Sequence, residues 1–406
     1  MKKMRIAVWH NLPSGGGKRQ LYNHVRGLVE RGHYVESWCP DTADQNFLPL
    51  GSMIKEHVIP FEKRHDYFYD IYKPASHVRL LIQQMERHCQ ECAEQINTGG
   101  FDIVFANACI FFRTSPIAKY VKLPSAIYLG EPYRWFYESL PELPWLAPRG
   151  GFSKISLSLG AIRGYLFNRA SLNGIRLQAR AELEYARSFN QILVNSIYSR
   201  ESVQRAYNLD SRVCYLGIDT DLYQPTTDKK ENFVVGLGTI YHAKGVDRAI
   251  RAISTIDEPK RPELVWIGNG VGESYDQLAK DLGVKFTTKI HIPDAEVMSL
   301  LSRAAVMVYT SRLEPFGLAP LEANACGTFV VGIAEGGVRE SITEGVNGFL
   351  ARDEDPELLG RLILKVTENS LDAVTLGQQA REHVVKEWNL DYGTDNIEAM
   401  LSKMLS

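Results

Sequence analysis

The chain has 406 residues, of which 45% are hydrophobic and 23% charged, and its net charge at pH 7 is −2. This length exceeds one ordinary hydrophobic core and indicates two domains, while the near-neutral charge gives no reason to expect a nucleic-acid ligand. No apolar run approaches the roughly 18 to 20 residues of a membrane span, and the basic start precedes only the short apolar segment Ile6–Trp9. That segment is typical of a first strand rather than a secretory signal, so we expect a cytoplasmic protein.

The first half of the sequence alternates short apolar strands with helical stretches. After the strand Ile6–Trp9 and a glycine turn, apolar residues recur at helical spacing at Leu21, Val25 and Leu28. Further strands are predicted at 34–39, 102–106, 125–129 and 191–194. This alternation predicts a doubly wound parallel sheet over residues 1–216.

A second strand–helix series follows the charged stretch 228–231. Its strands are predicted at 233–237, 264–267, 284–286, 305–309 and 329–331. The series predicts a second Rossmann-like domain over 217–388, and the amphipathic residues 389–406 predict a terminal helix. Ligands of such open α/β sheets bind at the carboxyl ends of the strands.

Six cysteines are scattered without a framework pattern, and Cys89-x-x-Cys92 has no second pair at zinc-finger spacing. We therefore expect reduced thiols. Residues 143–181 contain no Asp or Glu but several arginines among large apolar side chains. Such a stretch can lie on an anionic membrane surface, or it can form core helices with a solvated basic face. Both readings stay open.

The most informative segment runs from Glu314 to Glu322. It follows the strand-like run Ala305–Tyr309, includes a glycine turn, and continues as a helix. A buried strand that leads through such a turn into a helix presents free backbone N–H groups to an anion. The two carboxylates can accept hydrogen bonds from the hydroxyls of a sugar and a ribose. An isolated Glu pair would more often only end a strand and solvate a helix, but here Gly336 and Gly337 follow the next apolar run.

This order resembles the Glu-x7-Glu signature of the family-4 retaining glycosyltransferases. The resemblance implies the GT-B fold, with two Rossmann-like domains facing across a cleft and a C-terminal helix that crosses back to the N-terminal, acceptor-binding domain. It also implies that Glu314 binds sugar hydroxyls and Glu322 the ribose. The expected donor-binding residues around them are Phe316, Gly317, Leu318, Gly336 and Gly337, with Ile290 near the nucleotide base.

Lys244-Gly245-Val-Asp matches the family segment whose lysine contacts the donor diphosphate. The family usually places an arginine after the preceding strand glycine, where this chain has Thr239. Either another basic residue such as Arg312 substitutes, or diphosphate binding is weaker. The glycine turn after the first strand resembles the one in the family that faces the donor phosphates, which assigns Gly16 and Gly17 to donor binding.

Glu131-Pro-Tyr-Arg134 resembles a His-Glu-Pro-x-Arg segment of some members, with Gly130 at the histidine position. Glu131 is therefore a candidate catalytic residue, or it forms a structural ion pair with Arg134. Asp219-Thr-Asp221 could suggest a metal motif, but its context matches a structural loop, and we expect no catalytic metal and no cofactor besides the nucleotide-sugar substrate.

The resemblance implies a retaining, metal-independent hexosyltransferase that uses a UDP- or GDP-sugar. Its acceptor would be a glycan or a lipid-linked sugar in cell-envelope or polysaccharide synthesis, reached by a cytoplasmic protein with a possible peripheral membrane contact through 143–181. The departures at Thr239 and Gly130 leave a nucleotide-sugar-binding protein without turnover as an alternative. A GT-B phosphorylase or epimerase is a further alternative.

Overall fold

The computed structural model describes residues 2–61, 74–137, 159–268, 270, 274–368 and 370–405, with the side chains of all but 135, 159–170, 370 and 371. The chain forms two compact units. The first comprises Met1–Asn195, Ser199–Tyr215 and Thr394–Ser406, and the second comprises Ser196–Tyr198 and Leu216–Gly393.

The first unit contains a parallel sheet of seven strands in the order β3-β2-β1-β4-β5-β6-β7. The strands are β1 (Arg5–Asn11), β2 (Tyr34–Pro40), β3 (Lys55–Ile59), β4 (Ile103–Cys109), β5 (Ser125–Tyr128), β6 (Gln191–Val194) and β7 (Arg212–Val213). From its second residue β1 is buried along its whole length, as the near-continuous apolar run predicts for a central parallel strand.

Helices of the first unit connect these parallel strands. They are α1 (Gly16–Glu30), α2 (Ala75–Thr98), α3 (Arg134–Tyr137), α4 (Leu159–Ser188) and α5 (Ile197–Tyr207). Helix α1 buries Leu21, Val25 and Leu28, which lie on one face because they are three or four residues apart. The carboxyl ends of β1, β4 and β5 consequently lie at one edge of the sheet, where ligands of doubly wound folds bind.

The second unit contains a parallel sheet of six strands in the order β10-β9-β8-β11-β12-β13. The strands are β8 (Glu231–Leu237), β9 (Glu263–Gly268), β10 (Phe286–Ile290), β11 (Ala304–Tyr309), β12 (Val330–Ile333) and β13 (Gly348–Ala351). The helices are α6 (Val246–Ser254), α7 (Asp276–Asp281), α8 (Asp294–Arg303), α9 (Leu318–Ala325), α10 (Val338–Ser341), α11 (Pro356–Thr367) and α12 (Ser370–Glu387). Both β8 and β11 lie inside the sheet, and the loops that follow them meet at its carboxyl edge.

Four strands are absent from the sequence prediction or displaced from it, and their composition or short length explains why. Strand β7 has only two residues. Strand β3 is a half-buried strand with charged residues and no apolar run. Strand β13 has only four residues. Strand β10 begins where the predicted strand 284–286 ends, because its Thr-Thr-Lys centre lacks an apolar signal. Polar residues of this kind are typical of sheet edges, where they discourage pairing with another chain.

The terminal helix α13 (Leu390–Lys403) contributes its residues from Thr394 onward to the first unit. Glu398 accepts hydrogen bonds from His33 Nε2 at 2.9 Å and from an Arg31 guanidinium nitrogen at 2.8 Å. His33 Nδ1 accepts the backbone N–H of Met4 at 3.0 Å, so Nε2 carries the hydrogen that Glu398 receives. Ile397, the residue before Glu398, is fully buried, so apolar packing accompanies these hydrogen bonds.

No helix among the described residues has an apolar stretch long enough to cross a bilayer. Of the acid-free segment 143–181, residues 143–158 lie outside the described residues, and so do the side chains of 159–170. The predicted membrane contact of this segment therefore stays a prediction.

Replacing Glu398 with Ala is expected to lower the free energy of unfolding by about 2 kcal/mol, because it leaves the buried His33 N–H without its acceptor and removes one of the two carboxylates that face Arg31. The matched control is Glu184→Ala, which removes the exposed ion pair with Arg180. That variant should change stability by less than about 0.5 kcal/mol. Urea denaturation followed by tryptophan fluorescence measures both, and equal effects of the two variants would contradict the assigned role of Glu398.

Candidate nucleotide-sugar site

Two glycines hold the main chain around Glu314 at very short range. Gly337 N–H donates to the Glu314 carbonyl oxygen at 2.8 Å. A Cβ on Gly336, whose φ is +72°, would lie 2.4 Å from the same oxygen, and a Cβ on Gly337 would lie 2.0 Å from the Pro315 carbonyl oxygen. Any larger residue would therefore displace the backbone that carries Glu314.

The chain from β11 to α9 turns through two residues with positive φ. Leu313 has φ +50° although it is not a glycine, and Gly317 has φ +89°. Such a conformation at leucine costs about 1 kcal/mol or more and persists only where surrounding contacts enforce it. Buried Phe316 packs against Trp388 with ring centroids 5.5 Å apart. Helix α9 then starts at Leu318 with no side-chain cap, so its first turn leaves N–H groups directed out of the helix.

Lys244 lies in the turn between β8 and α6. Gly238 makes room for its aliphatic stem, since a Cβ there would lie 3.3 Å from Lys244 Cδ. Gly245 has φ +73°, and a Cβ there would lie 2.2 Å from the Thr310 carbonyl oxygen. Arg312 N–H donates to the Ala243 carbonyl oxygen at 2.9 Å. These contacts fasten the lysine turn to the end of β11.

The two loops bring Lys244 Nζ and Glu314 Oε2 to 2.6 Å. Both side chains are about one quarter exposed, with values of 24% and 23%. The ion pair is therefore partly desolvated, yet a ligand can reach both groups. The structure thus brings together the two second-unit residues predicted to be catalytic.

Arg312, the suggested replacement for the cation missing at Thr239, is engaged by two carboxylates. Its guanidinium lies 3.1 Å from Glu335 and 3.2 Å from Glu354. Glu354 also accepts from Arg248 at 2.6 Å. Thr239 is exposed in the loop after Gly238.

Glu322 lies one turn along α9 from Leu318 and is nearly buried, at 9% exposed. A buried pair fixes this helix: Asn347 Nδ2 donates to Asn324 Oδ1 at 3.0 Å, and Asn324 Nδ2 donates to the Asn347 carbonyl oxygen at 2.9 Å. Ile290 ends β10, three strands from β11, which corresponds to about 14 Å across the sheet.

The remaining predicted residues, Gly16, Gly17 and Glu131, belong to the first unit. The two glycines are exposed in the first turn of α1. Glu131 lies 3.3 Å from Arg134 and 3.7 Å from Arg113. The ion pair that the sequence left as an alternative is therefore present, and a catalytic role for Glu131 stays a prediction.

Asp219 forms a local turn, because its Oδ1 accepts the N–H groups of Asp221 at 3.1 Å and Leu222 at 2.9 Å. This geometry fits the predicted structural loop. All six cysteines are free and buried.

Among the described residues, one group could hold a metal ion: His10, Cys39 and Glu56 in the first unit. Glu56 Oε1 lies within hydrogen-bond distance of His10 Nε2 at 3.0 Å and of Ser37 Oγ at 3.2 Å. Burial raises the pKa of the Cys39 thiol to about 12. The group is therefore a hydrogen-bonded network around a carboxylate. The sequence signal for it was polar residues within three neighbouring strands, of which β1 and β2 are largely buried.

Glu182 on α4 is a buried carboxyl group that the sequence analysis missed. Its Oε1 accepts the Tyr133 N–H at 3.1 Å and the Tyr207 hydroxyl. Burial is the main cause that raises its pKa to about 8, so the carboxyl group is protonated at pH 7. It is the first acidic residue after the acid-free segment 143–181, and this position could have drawn attention to it.

Two models of known protein families match the sequence of this chain. A family model described as Glycosyltransferase Family 4 matches residues 14–222, slightly more than half of the chain, and one described as Glycosyl transferases group 1 matches residues 218–383. The chain therefore belongs to the glycosyltransferases that these two models describe.

Curated relatives include several D-inositol 3-phosphate glycosyltransferases. The protein of Catenulispora acidiphila is 29% identical over 190 residues, which cover 41% of this chain and 46% of that protein. The protein of Corynebacterium jeikeium is 23% identical over 313 residues, covering 70% and 72%. The matches to the Catenulispora acidiphila protein and to that of Corynebacterium aurimucosum span just under half of each protein's length, 46% and 45%.

Solved structures resemble the whole chain in fold. Anabaena HepE in complex with UDP and glucose has a TM-score of 0.65 at 19% identity, covering 98% of this chain and all of HepE. Sucrose-phosphate synthase from Thermosynechococcus elongatus has a TM-score of 0.69 at 16% identity, covering 98% and 99%. Together with the two parallel α/β units, these matches confirm the predicted GT-B fold.

Gly336→Ala is expected to destabilise the protein more than Gly345→Ala. Both positions have nearly the same positive φ, +72° and +74°, and share the cost of a left-handed alanine. A Cβ at 345 meets nothing within 4 Å, whereas one at 336 meets the Glu314 backbone. The overpacking at position 336 should lower the free energy of unfolding by a further roughly 1 to 3 kcal/mol, as measured by urea denaturation. Equal losses would mean that the close approach does not exist in solution.

Glu182→Gln should remove a pH dependence of stability. Between about pH 4.5 and 8 the unfolded chain has lost this proton while the folded chain keeps it, so the wild type loses stability as pH rises through that range. The loss is roughly 1.4 kcal/mol per pH unit at most. The difference in unfolding free energy between variant and wild type should therefore grow in favour of the variant from pH 5 to pH 8. A difference that does not change with pH would show that folded Glu182 is ionised.

Proposed function

We propose that this chain is a retaining, metal-independent hexosyltransferase that uses a nucleotide-diphosphate sugar. The observation that carries the proposal is the contact between Lys244 Nζ and Glu314 Oε2 beside the uncapped first turn of α9. It combines a cation and helix N–H groups for a diphosphate with a carboxylate for sugar hydroxyls.

The charge of the leaving diphosphate sets the main chemical demand. When the bond between the sugar C1 and the phosphate oxygen breaks, the electron pair stays on the diphosphate. In this proposal Lys244 and the N–H groups of Phe316, Gly317 and Leu318 stabilise that charge. One donor of this kind is worth roughly 3 kcal/mol in the transition state.

We propose that the Lys244–Glu314 ion pair exchanges partners when the donor binds. Glu314 neutralises Lys244 until a donor binds, after which the diphosphate takes the lysine and the carboxylate accepts hydrogen bonds from sugar hydroxyls. Gly336 and Gly337 allow the backbone to approach the sugar, and Glu322 binds the ribose. Ile290 contacts the base, at a distance across the sheet that fits a nucleotide.

We propose that the sugar keeps its anomeric configuration because the acceptor attacks C1 on the same face from which the diphosphate departs. The acceptor oxygen bonds to C1 while the C1–O bond to phosphate breaks, and the acceptor proton passes to a leaving phosphate oxygen. This path needs no protein nucleophile. Gly16 and Gly17 are proposed to face the donor phosphates, and Glu131 to contact the donor sugar or acceptor.

UDP is the first nucleotide to test, because HepE binds it. The acceptor is proposed to be a glycan or a lipid-linked sugar, and the D-inositol 3-phosphate glycosyltransferases add a phosphorylated cyclitol to the candidates. Exposed Thr239, at the position where the resemblance to the family implies an arginine, favours a second candidate function: nucleotide-sugar binding without turnover. A peripheral membrane contact through 143–181 remains part of the proposal.

Lys244→Ala is expected to weaken UDP binding 10- to 100-fold, because it removes a charge-assisted donor and leaves Glu314 facing the diphosphate. Glu314→Gln should leave UDP affinity unchanged or raise it, since it frees the lysine, yet lower kcat/KM for the UDP-sugar at least tenfold. Calorimetry with UDP, GDP and ADP and transfer assays with and without a chelator measure these effects.

The matched control is Lys260→Ala. Lys260 lies 2.6 Å from Glu368, but both side chains are more than half exposed, so UDP binding should not change. Undiminished UDP binding by Lys244→Ala, or activity that depends on added metal, would contradict the proposal. Nucleotide binding without transfer to any acceptor would favour the binding protein.

A further inference from the structure

A row of four alternating charges lies near the carboxyl edge of the sheet in the second unit. Arg248 Nε lies 2.6 Å from one carboxylate oxygen of Glu354, and the other oxygen of Glu354 lies 3.2 Å from Arg312 Nη1. Arg312 Nε and Nη2 both donate to Glu335, at 3.1 Å and 3.3 Å. The guanidinium of Arg312 therefore divides its donors between two carboxylates, in the geometry that makes such hydrogen bonds strong.

This row joins the turns that build the candidate site. Arg312 stands two residues before Glu314, and Glu335 directly precedes Gly336. Arg248 lies in the first turn of α6, just after the lysine turn. One guanidinium thus connects the loops that follow β11 and β12, and the carboxylate that the two arginines share extends the connection to α6.

The main chain of Arg312 is anchored as well. Its N–H donates to the Ala243 carbonyl oxygen at 2.9 Å. The next residue, Leu313, has φ +50°, a conformation that surrounding contacts must enforce. Because both the backbone and the side chain of Arg312 are held, this residue supplies contacts that enforce the turn leading to Glu314.

Three of the four charged side chains are mostly removed from water. The side chain of Arg248 is 8% exposed, and those of Arg312 and Glu335 are both 21% exposed. Removing one member of a desolvated ion pair leaves its partner without compensation, which costs more than the loss of an exposed pair. Substitution of Arg312 should therefore disturb the loops on both sides of it.

The same contacts disfavour Arg312 as a direct ligand of the diphosphate. A phosphate beside this guanidinium would meet the negative charges of Glu335 and Glu354 at short range. The sequence left open whether Arg312 replaces the cation that is missing at Thr239. The geometry favours a different role.

We propose that Arg312 is a positioning residue that fixes the turn placing Glu314 beside Lys244. The carboxylates of Glu335 and Glu354 hold its guanidinium in place. This role rests on the proposed function only in that the donor is the ligand of the ion pair, since the placement of Glu314 can be measured without any ligand.

Double-mutant cycles on the full chain measure that placement. Urea denaturation of Lys244→Met, Glu314→Gln and the double variant gives the coupling free energy of the ion pair. The coupling should be favourable in the wild-type background and should fall by at least half when Arg312→Met is added. A merely structural role of Arg312 would lower the stability of all four proteins in the cycle equally and leave the coupling unchanged.

The matched control is Arg303→Met. Arg303 precedes β11 at the opposite edge of the sheet and lies 2.9 Å from Glu231, so its loss should not change the coupling. Arg312→Lys keeps the charge without the planar fork of donors, so its coupling should lie between those of wild type and Arg312→Met. If Arg312→Met does not fold, Arg312→Lys and Glu335→Gln decide the proposal, because each should reduce the coupling.

Calorimetry with UDP separates positioning from direct binding. Glu335→Gln weakens the hold on the guanidinium, so it should tighten UDP binding at least fivefold if Arg312 binds the diphosphate. If Arg312 positions the turn, UDP affinity should stay within about twofold of wild type.

The two proposals fail in different ways. Unchanged coupling in the Arg312→Met background, or tighter UDP binding by Glu335→Gln, would overturn the positioning role alone. Coupling that depends on Arg312 in a protein that does not bind UDP would overturn the proposed donor site and leave the positioning role standing.

Discussion

The ion pair between Lys244 and Glu314 is the interaction on which the second unit's site depends. Two opposite charges meet at 2.6 Å because two loops at the carboxyl ends of β8 and β11 are held at main-chain contact distance. Glycine is required on both sides: Gly245 lets the lysine turn approach Thr310, and Gly336 lets the loop after β12 approach Glu314. Close packing of backbone therefore fixes where the charges lie, and the charges define what the site can bind.

Two arginines near this sheet edge are already paired with carboxylates. Arg312 and Arg248 share Glu354, and Arg312 also faces Glu335. Lys244 differs from them because its partner, Glu314, has a second proposed task toward sugar hydroxyls. A donor that offers both a diphosphate and sugar hydroxyls provides partners for Lys244 and Glu314 at once. A ligand with only a diphosphate would pair with Lys244 but give Glu314 no hydroxyl, and a free sugar would give Lys244 no anion. This reciprocity explains why one contact can support both binding and bond cleavage in the proposed mechanism.

Much of this arrangement can be predicted from the sequence, but the strands and loops are predicted better than the contacts between side chains. Buried strands such as Gln191–Val194 were predicted from their apolar runs alone, and the glycine-rich order around Glu314 predicted the site loops. Edge strand Lys55–Ile59 was missed because its polar residues lack a period-two signal. The partners of Arg312 and the group around Glu182 could not be read from spacing, since they join residues far apart in the chain. Glu182 meets Tyr133 across 49 positions, and only the fold determines such contacts.

The most direct measurement is a crystal structure of the chain with UDP bound. The account predicts that the diphosphate lies within hydrogen-bond distance of Lys244 Nζ and of the first-turn N–H groups of α9, with Glu314 turned away from the lysine. A nucleotide bound elsewhere, with the Lys244–Glu314 contact unchanged, would contradict it.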